Sequence, residues 1–152
     1  MRATDVPPVK AVETACGLSP WSEADYESEL VRPDSITLVA SVDGVLAGFI
    51  VARLITNANH AVSDPRSIQE MEIFNIGVSP FFRRRGLAAS LIESAVAQLD
   101  PSIGYVVFLE VRERNTAAIK FYETIGFERT GKRKNFYSSP ADDALLMAKT
   151  SV

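Results

Sequence analysis

Asn75-Ile76-Gly77-Val78-Ser79-Pro80-Phe81-Phe82-Arg83-Arg84-Arg85-Gly86-Leu87-Ala88-Ala89-Ser90-Leu91 carries a strand, a loop and the opening of a helix in one short run. The strand is the end of an apolar stretch, Glu70–Val78, and the helix is expected over Arg85–Leu99. Gly86, Ala88 and Ala89 in its first turn keep the backbone approachable. The unpaired N–H groups and dipole of a helix start favour an anion such as a phosphate. Arg83, Arg84 and Arg85 add positive charge at the same end. The run is neither a G-x-x-x-x-G-K-[ST] loop nor a G-x-G-x-x-G dinucleotide turn. The same residues also fit a basic solvated loop before a surface helix, with small side chains chosen for packing. Taken alone, they leave both readings open.

Upstream of this run the pattern is helix, helix, hairpin. Asp5 is placed to cap a helix ending near Thr14, with Pro7 and Pro8 suited to its first turn. Ser22 caps a second helix whose polar side is Glu23, Asp25, Glu27 and Glu29. Ser35–Ser41 and Val45–Leu54 are β-branched and apolar, joined by Asp43-Gly44, a strong hairpin signal. Thr56–Gln69 is polar and reads as a long loop. Downstream, Tyr105–Val111 reads as a strand, Asn115–Ile125 as a helix stopped by Gly126, and Phe127–Arg133 and Ala144–Ala148 as closing strands. Strands in a hairpin followed by strand–helix alternation predict an α/β (α+β) chain: a mixed central sheet with helices on both faces.

Composition narrows the chemistry. The 152 residues suit one domain, 1–152, with 47% hydrophobic and 23% charged residues. One His and one Cys cannot build a Cys/His zinc site, so no metal is expected. Cys16 has no intramolecular partner for a disulfide, which argues for a reducing, cytoplasmic setting. His60 lies among Asn57, Asn59 and Ser63 and reads as an exposed loop residue. A net charge of −3 argues against a protein whose main task is holding nucleic acid. No apolar run approaches the ~20 residues of a membrane span, and the first residues lack a signal-peptide core. A monomer or weak dimer is expected.

A second run carries chemistry: Glu110-Val111-Arg112, then Asn115-Thr116-Ala117-Ala118-Ile119-Lys120-Phe121-Tyr122. Asn115 is a good N-cap, and Tyr122 falls two helical turns later on the same face. Glu110 closes an apolar strand, where desolvation raises a carboxyl toward the range of a useful base. The plain alternative pairs Glu110 with Arg112 or Arg114, leaves Asn115 as a cap only, and puts Tyr122 in the core.

The two runs together resemble the GNAT N-acetyltransferases. Arg83-x-x-Gly86-x-Ala88 is similar to that superfamily's acyl-CoA pyrophosphate loop. Asn115, Ala118, Phe121, Tyr122, Gly126 and Phe127 match its later N-x-x-A-x-x-F-Y-x-x-x-G-F run. Pro20-Trp21-Ser22, Phe74-Asn75-Ile76, Leu109-Glu110-Val111-Arg112, Arg133-Lys134-Asn135-Phe136-Tyr137 and Asp143-Ala144 resemble more narrowly the bacterial RimI-type ribosomal-protein alanine N-acetyltransferases, across nearly the whole chain.

The resemblance implies a GNAT fold with a splayed acetyl-CoA-binding strand. It implies acetyl-CoA as cosubstrate, and an acceptor amine that attacks the thioester directly in a ternary complex. The acceptor implied is a protein N-terminus, that of a ribosomal protein. By the resemblance, Glu110 is the general base and Tyr122 the general acid. Ile76, Gly77 and Val78 hold the pantetheine and polarise the thioester. Arg83, Arg84, Arg85, Gly86, Leu87, Ala88 and Ala89 cradle the pyrophosphate, and Asn115 contacts the pantetheine arm. A small amine or a lysine as acceptor, and a non-catalytic acetyl-CoA-binding module, are the competing readings.

The chain departs from the RimI-type pattern in three places. Thr56–Gln69 is longer than the usual hairpin, Phe136 stands where a tyrosine is usual, and the chain starts almost at its first helix, so the family's first strand is expected to be clipped or missing. Arg129, Lys132, Arg133 and Lys134 form a basic segment read as a solvated strand end, and Trp21 reads as core.

Overall fold

The computed structural model describes residues 1–55 and 68–151. These fall into two compact units, Met1–Leu54 with Phe74–Asp100, and Ile55–Ile73 with Pro101–Val152.

In the first unit a 3-10 turn at Ala3–Asp5 leads into α1, Val6–Cys16, and no strand precedes it among the described residues. Pro7 and Pro8 occupy the first turn, where their missing N–H groups cost nothing. Asp5 takes the N-cap position of α1, but its carboxylate turns back to accept the Arg2 N–H at 2.7 Å. Gly17 ends α1 in the left-handed region (φ 65°). α2, Glu23–Val31, begins in a full capping box: Ser22 Oγ accepts from the Asp25 N–H, and Asp25 accepts from the Ser22 N–H. Such a cap stabilises a helix by about 1 kcal/mol.

β1, Ser35–Val42, and β2, Val45–Ile55, form the hairpin. Asp43 and Gly44 both adopt positive φ (50° and 78°), as a two-residue turn of the right twist demands. Ala47 to Ala52 are buried without a break, the signature of a strand covered on both sides. Phe49 and Val51 join Val6, Val9, Val12 and Tyr26 in one cluster under α1 and α2. Gly48 points the other way. A methyl group there would lie 3.4 Å from Leu91 Cδ1 of α3, Leu87–Val96. Alternating side chains of β2 therefore serve helices on opposite faces.

β3, Ile68–Val78, passes through both units, so Ile68 and Gln69 are strand; the rest of the expected loop and His60 lie outside the described residues. In the second unit β3 pairs in parallel with β4, Gly104–Arg112, from Ile68↔Gly104 to Ile73↔Leu109. The ladder ends there, short of Asn75–Val78. β4 pairs antiparallel with β6, Ala141–Thr150, which pairs antiparallel with β5, Glu128–Ser138. The strand order is β1-β2-β3-β4-β6-β5, the expected mixed sheet. α4, Thr116–Thr124, follows β4 and buries Ile119 and Tyr122. β5 and β6 each run several residues longer than their apolar patterns. Polar positions at the ends of these strands are held by backbone pairing, which hydrophobic periodicity does not report.

Candidate active site

The first unit supplies an open helix start of the kind that suits an anion. After β3, Pro80–Phe82 make a 3-10 turn, and Arg84 and Gly86 both take positive φ (61° and 76°). Those two left-handed residues delay α3 to Leu87, two residues later than its sequence suggests. Gly86 is the N-cap and has no side chain to close the helix end, so the N–H groups of the first turn at Leu87, Ala88 and Ala89 face outward. A Cβ on Gly86 would meet nothing within 4 Å, so the site is open above it. Arg83, Arg84 and Arg85 are exposed around it. Arg85 leans over the Phe82 ring at 5.4 Å, and Arg83 donates from Nε to the Val78 carbonyl at 3.2 Å. Arg83 thus ties the loop to the strand end as well as charging it.

The strand end is held from beneath. Asn75 is buried and donates from Nδ2 to Glu13 Oε1 (3.2 Å) and to the Tyr26 hydroxyl (3.0 Å). Tyr26 donates to the same Glu13 oxygen at 2.8 Å; burial, and then this carboxylate, push its phenol far above the ordinary value. Trp21 packs partly buried on this cluster, its ring 5.3 Å from that of Tyr26. Sequence reading missed the cluster, because Glu13, Tyr26 and Asn75 lie in different elements with no shared spacing.

The second unit holds the two residues with expected proton-transfer roles. Glu110, near the end of β4, meets a partner from another strand: its Oε1 lies 2.9 Å from Arg133 Nη1. Arg133 comes from β5, and the antiparallel registers of β4, β6 and β5 bring the two together. Arg112 holds its guanidinium 4.0 Å above the Tyr137 ring and donates to the carbonyls of Ser139 and Pro140. Arg114 faces Asp142. Lys132 bridges Glu113 and Asp143, and Arg129 meets Glu123, so the basic segment is largely neutralised in place.

Asn115 caps α4 through Oδ1, which accepts from the Ala118 N–H at 3.1 Å. Two turns on, Tyr122 is buried, its ring 5.6 Å from Phe127 and 5.3 Å from Phe121. Burial, and then the neighbouring Tyr137, push its phenol up to about 12, so it is protonated at neutral pH. Burial also raises the Tyr137 phenol, with the Glu110 charge adding and the Arg112 charge opposing. Glu110, Tyr137 and Tyr122 therefore share one electrostatic neighbourhood. Phe136 stands perpendicular to Tyr137 at 5.1 Å and carries Arg133 at 5.6 Å. The clue to Arg133 and Tyr137 was their place on a strand whose register only the fold sets.

Residues 7–127 match the model of the Acetyltransferase (GNAT) family. The chain belongs to this family. It is 30% identical over 150 residues to the [Ribosomal protein bS18]-alanine N-acetyltransferase of Salmonella typhimurium, covering 97% of this chain and 93% of that one. The crystal structure of the ribosomal-protein-S18-alanine N-acetyltransferase from Escherichia coli is 29% identical with a TM-score of 0.77, covering 99% of this chain and 90% of that one. Arabidopsis thaliana NAA60 in complex with acetyl-CoA, 20% identical, shares the fold with a TM-score of 0.79 over 97% of this chain and 94% of its own. The GNAT assignment makes the protein an acetyltransferase. No helix among its described residues is long and apolar enough to cross a membrane.

Proposed function

We propose that this GNAT protein, residues 1–152 acting as one domain, transfers acetyl from acetyl-CoA to the N-terminal α-amine of a ribosomal protein. The similarity over 150 residues to a ribosomal-protein alanine N-acetyltransferase carries the reading. Ile76, Gly77 and Val78 present backbone groups to the pantetheine and the thioester carbonyl. The helix start at Gly86–Ala89, with Arg83, Arg84 and Arg85 around it, receives the pyrophosphate, where N–H groups and positive charge coincide. Asn115 contacts the pantetheine arm.

In the proposed reaction the amine lone pair attacks the thioester carbonyl carbon. Glu110, directly or through water, takes the amine proton; the C–S bond breaks; and the departing thiolate receives the Tyr122 proton. Tyr122 is protonated at neutral pH, the form a donor needs. An α-amine (reference pKa about 7.7–8) gives up its proton more readily near neutrality than a lysine (about 10.4), which suits a lone carboxylate base. No enzyme-bound acyl intermediate is required, so Cys16 has no part in the step. A cytoplasmic location accords with a free thiol at Cys16.

The test is thiol release from acetyl-CoA with a panel of acceptors. Turnover with Ala-starting peptides, and none with lysine peptides blocked at the N-terminus or with small amines, supports the reading. Turnover confined to lysine or small amines replaces it with the corresponding GNAT activity. Acetyl-CoA binding without turnover on any acceptor makes the protein a binding module.

A further inference from the structure

The buried carboxylate of Glu13 plays no part in the chemistry just described, yet it is among the most enclosed charged groups in the first unit, at 1% exposure. Its Oε1 collects three donors from three segments: the Trp21 N–H (3.0 Å), the Tyr26 hydroxyl (2.8 Å) and Asn75 Nδ2 (3.2 Å). Lys10 Nζ lies 3.7 Å from Oε2 and also donates to the Trp21 carbonyl. Burying a carboxylate costs several kcal/mol, and an apolar cluster of the same volume is often as stable. What directional bonds add over an apolar contact is a fixed position for each partner.

One turn further along α1, the same helix face meets the same strand. A methyl group on Gly77 would lie 3.2 Å from Leu18 Cδ1 and 3.4 Å from Cys16 Sγ, and Cys16 Sγ donates to the Val78 carbonyl at 3.2 Å. Glu13 and Cys16 are three apart on a helix, and Asn75 and Gly77 two apart on a strand, so each pair shares a face. The end of β3 is thus gripped at Asn75, Gly77 and Val78 by one edge of α1.

We propose that Glu13 is a positioning residue: through Asn75 it holds the end of β3 in the geometry in which Ile76–Val78 receive acetyl-CoA. The proposal rests on the functional reading above. It adds that donor binding depends on a carboxylate inside the first unit that never touches the donor. Glu13→Gln keeps the volume but turns a nitrogen donor or a single acceptor oxygen toward three donors. Asn75→Ala removes the strand's bonds to Glu13 and to the Tyr26 hydroxyl and leaves the carboxylate in place. Val9→Ala, in the same buried cluster, destabilises without touching that link.

Calorimetric titration with acetyl-CoA, well below each variant's melting temperature, decides it. Glu13→Gln and Asn75→Ala are expected to weaken binding at least tenfold and to raise the KM for acetyl-CoA more than they lower kcat. Val9→Ala is expected to lower Tm comparably and leave the dissociation constant within twofold. Wild-type affinity in Asn75→Ala, or an equal loss in Val9→Ala, overturns the proposal. Should wild type itself fail to bind acetyl-CoA, the functional reading falls. Amide hydrogen exchange then still reads the clamp: it stands if Glu13→Gln speeds exchange at Ile76–Val78 and not in α3, and falls if exchange there is unchanged.

Discussion

Glu110 Oε1 lies 2.9 Å from Nη1 of Arg133, a residue on β5, two strands away across β6. The pair orients the carboxylate proposed as general base, and Arg133 in turn rests over the exposed ring of Phe136. Replacing Glu110 by Gln is expected to cut kcat by about 10²–10⁴, the usual span for a general base, while acetyl-CoA binding is retained. Replacing Arg133 by Ala is expected to cost roughly tenfold in kcat, with Lys between the two. Steady-state kinetics beside calorimetric titration checks both. Wild-type kcat in Glu110→Gln removes its role.

Tyr122→Phe keeps the ring in its contacts with Phe121 and Phe127 and removes only the hydroxyl. Turnover is expected to fall about 10²-fold or more with unchanged acetyl-CoA affinity, as for loss of a general acid. A variant with wild-type kcat assigns the thiolate's proton to another donor.

The same phenol links stability to alkaline pH. Its folded value of about 12 exceeds the unfolded value near 10, so the neutral form is favoured in the folded state. That contribution, on the order of 2 kcal/mol, is complete below pH 10 and is lost as pH rises toward 12. Tyr26 acts in the same direction. Melting curves from pH 9 to 12 should therefore fall less steeply in Tyr122→Phe than in wild type.

Glu29 predicts the opposite limb. It is buried, and burial acts to raise its carboxyl, but the bonds from Arg53 and Ser35 outweigh this and hold it below the usual range. Its stabilisation is present above the unfolded carboxyl value near 4.3 and is lost as pH falls through the lower folded value. Glu29→Ala is expected to cost about 1–3 kcal/mol at pH 7, where the half-buried Arg53 and Ser35 lose their bonds to this carboxylate, and much less near pH 3. Denaturant melts at the two pH values measure the difference.

Two glycines separate strain from clash. Gly86→Ala meets open space and pays only for a positive φ, about 1–2 kcal/mol, while narrowing the proposed pyrophosphate site. Gly48→Ala puts a methyl 2.9 Å from the Gly77 carbonyl oxygen, a backbone atom, so the strand must shift. The expected outcome is a larger fall in Tm for Gly48→Ala, and a larger loss of acetyl-CoA affinity per kcal/mol of stability for Gly86→Ala.

Much of the architecture was readable from local chemistry. Asp43-Gly44 set the hairpin, Ser22 and Asn115 set two helix starts, and Gly126 set a stop, because caps and turns are decided by a few neighbouring residues. α3 starts two residues after the expected Arg85, since nothing in Arg84 announces a positive φ. β5 runs on past Arg133 without an apolar pattern, since Lys134, Asn135 and Phe136 are exposed in an irregular stretch and the ladder resumes only at Tyr137.

The sequence by itself determined the order of elements, the family motifs and the two candidate proton-transfer residues, all written in spacings within a single helix, strand or turn. Only the tertiary structure decided which charges meet. Glu110 finds Arg133 from β5, and Glu13 gathers Trp21, Tyr26 and Asn75. Register between strands and the packing of α1 on β3 are set by long-range burial. An ion pair or a buried carboxylate takes the partner that this packing brings within about 3 Å, whatever its distance along the chain.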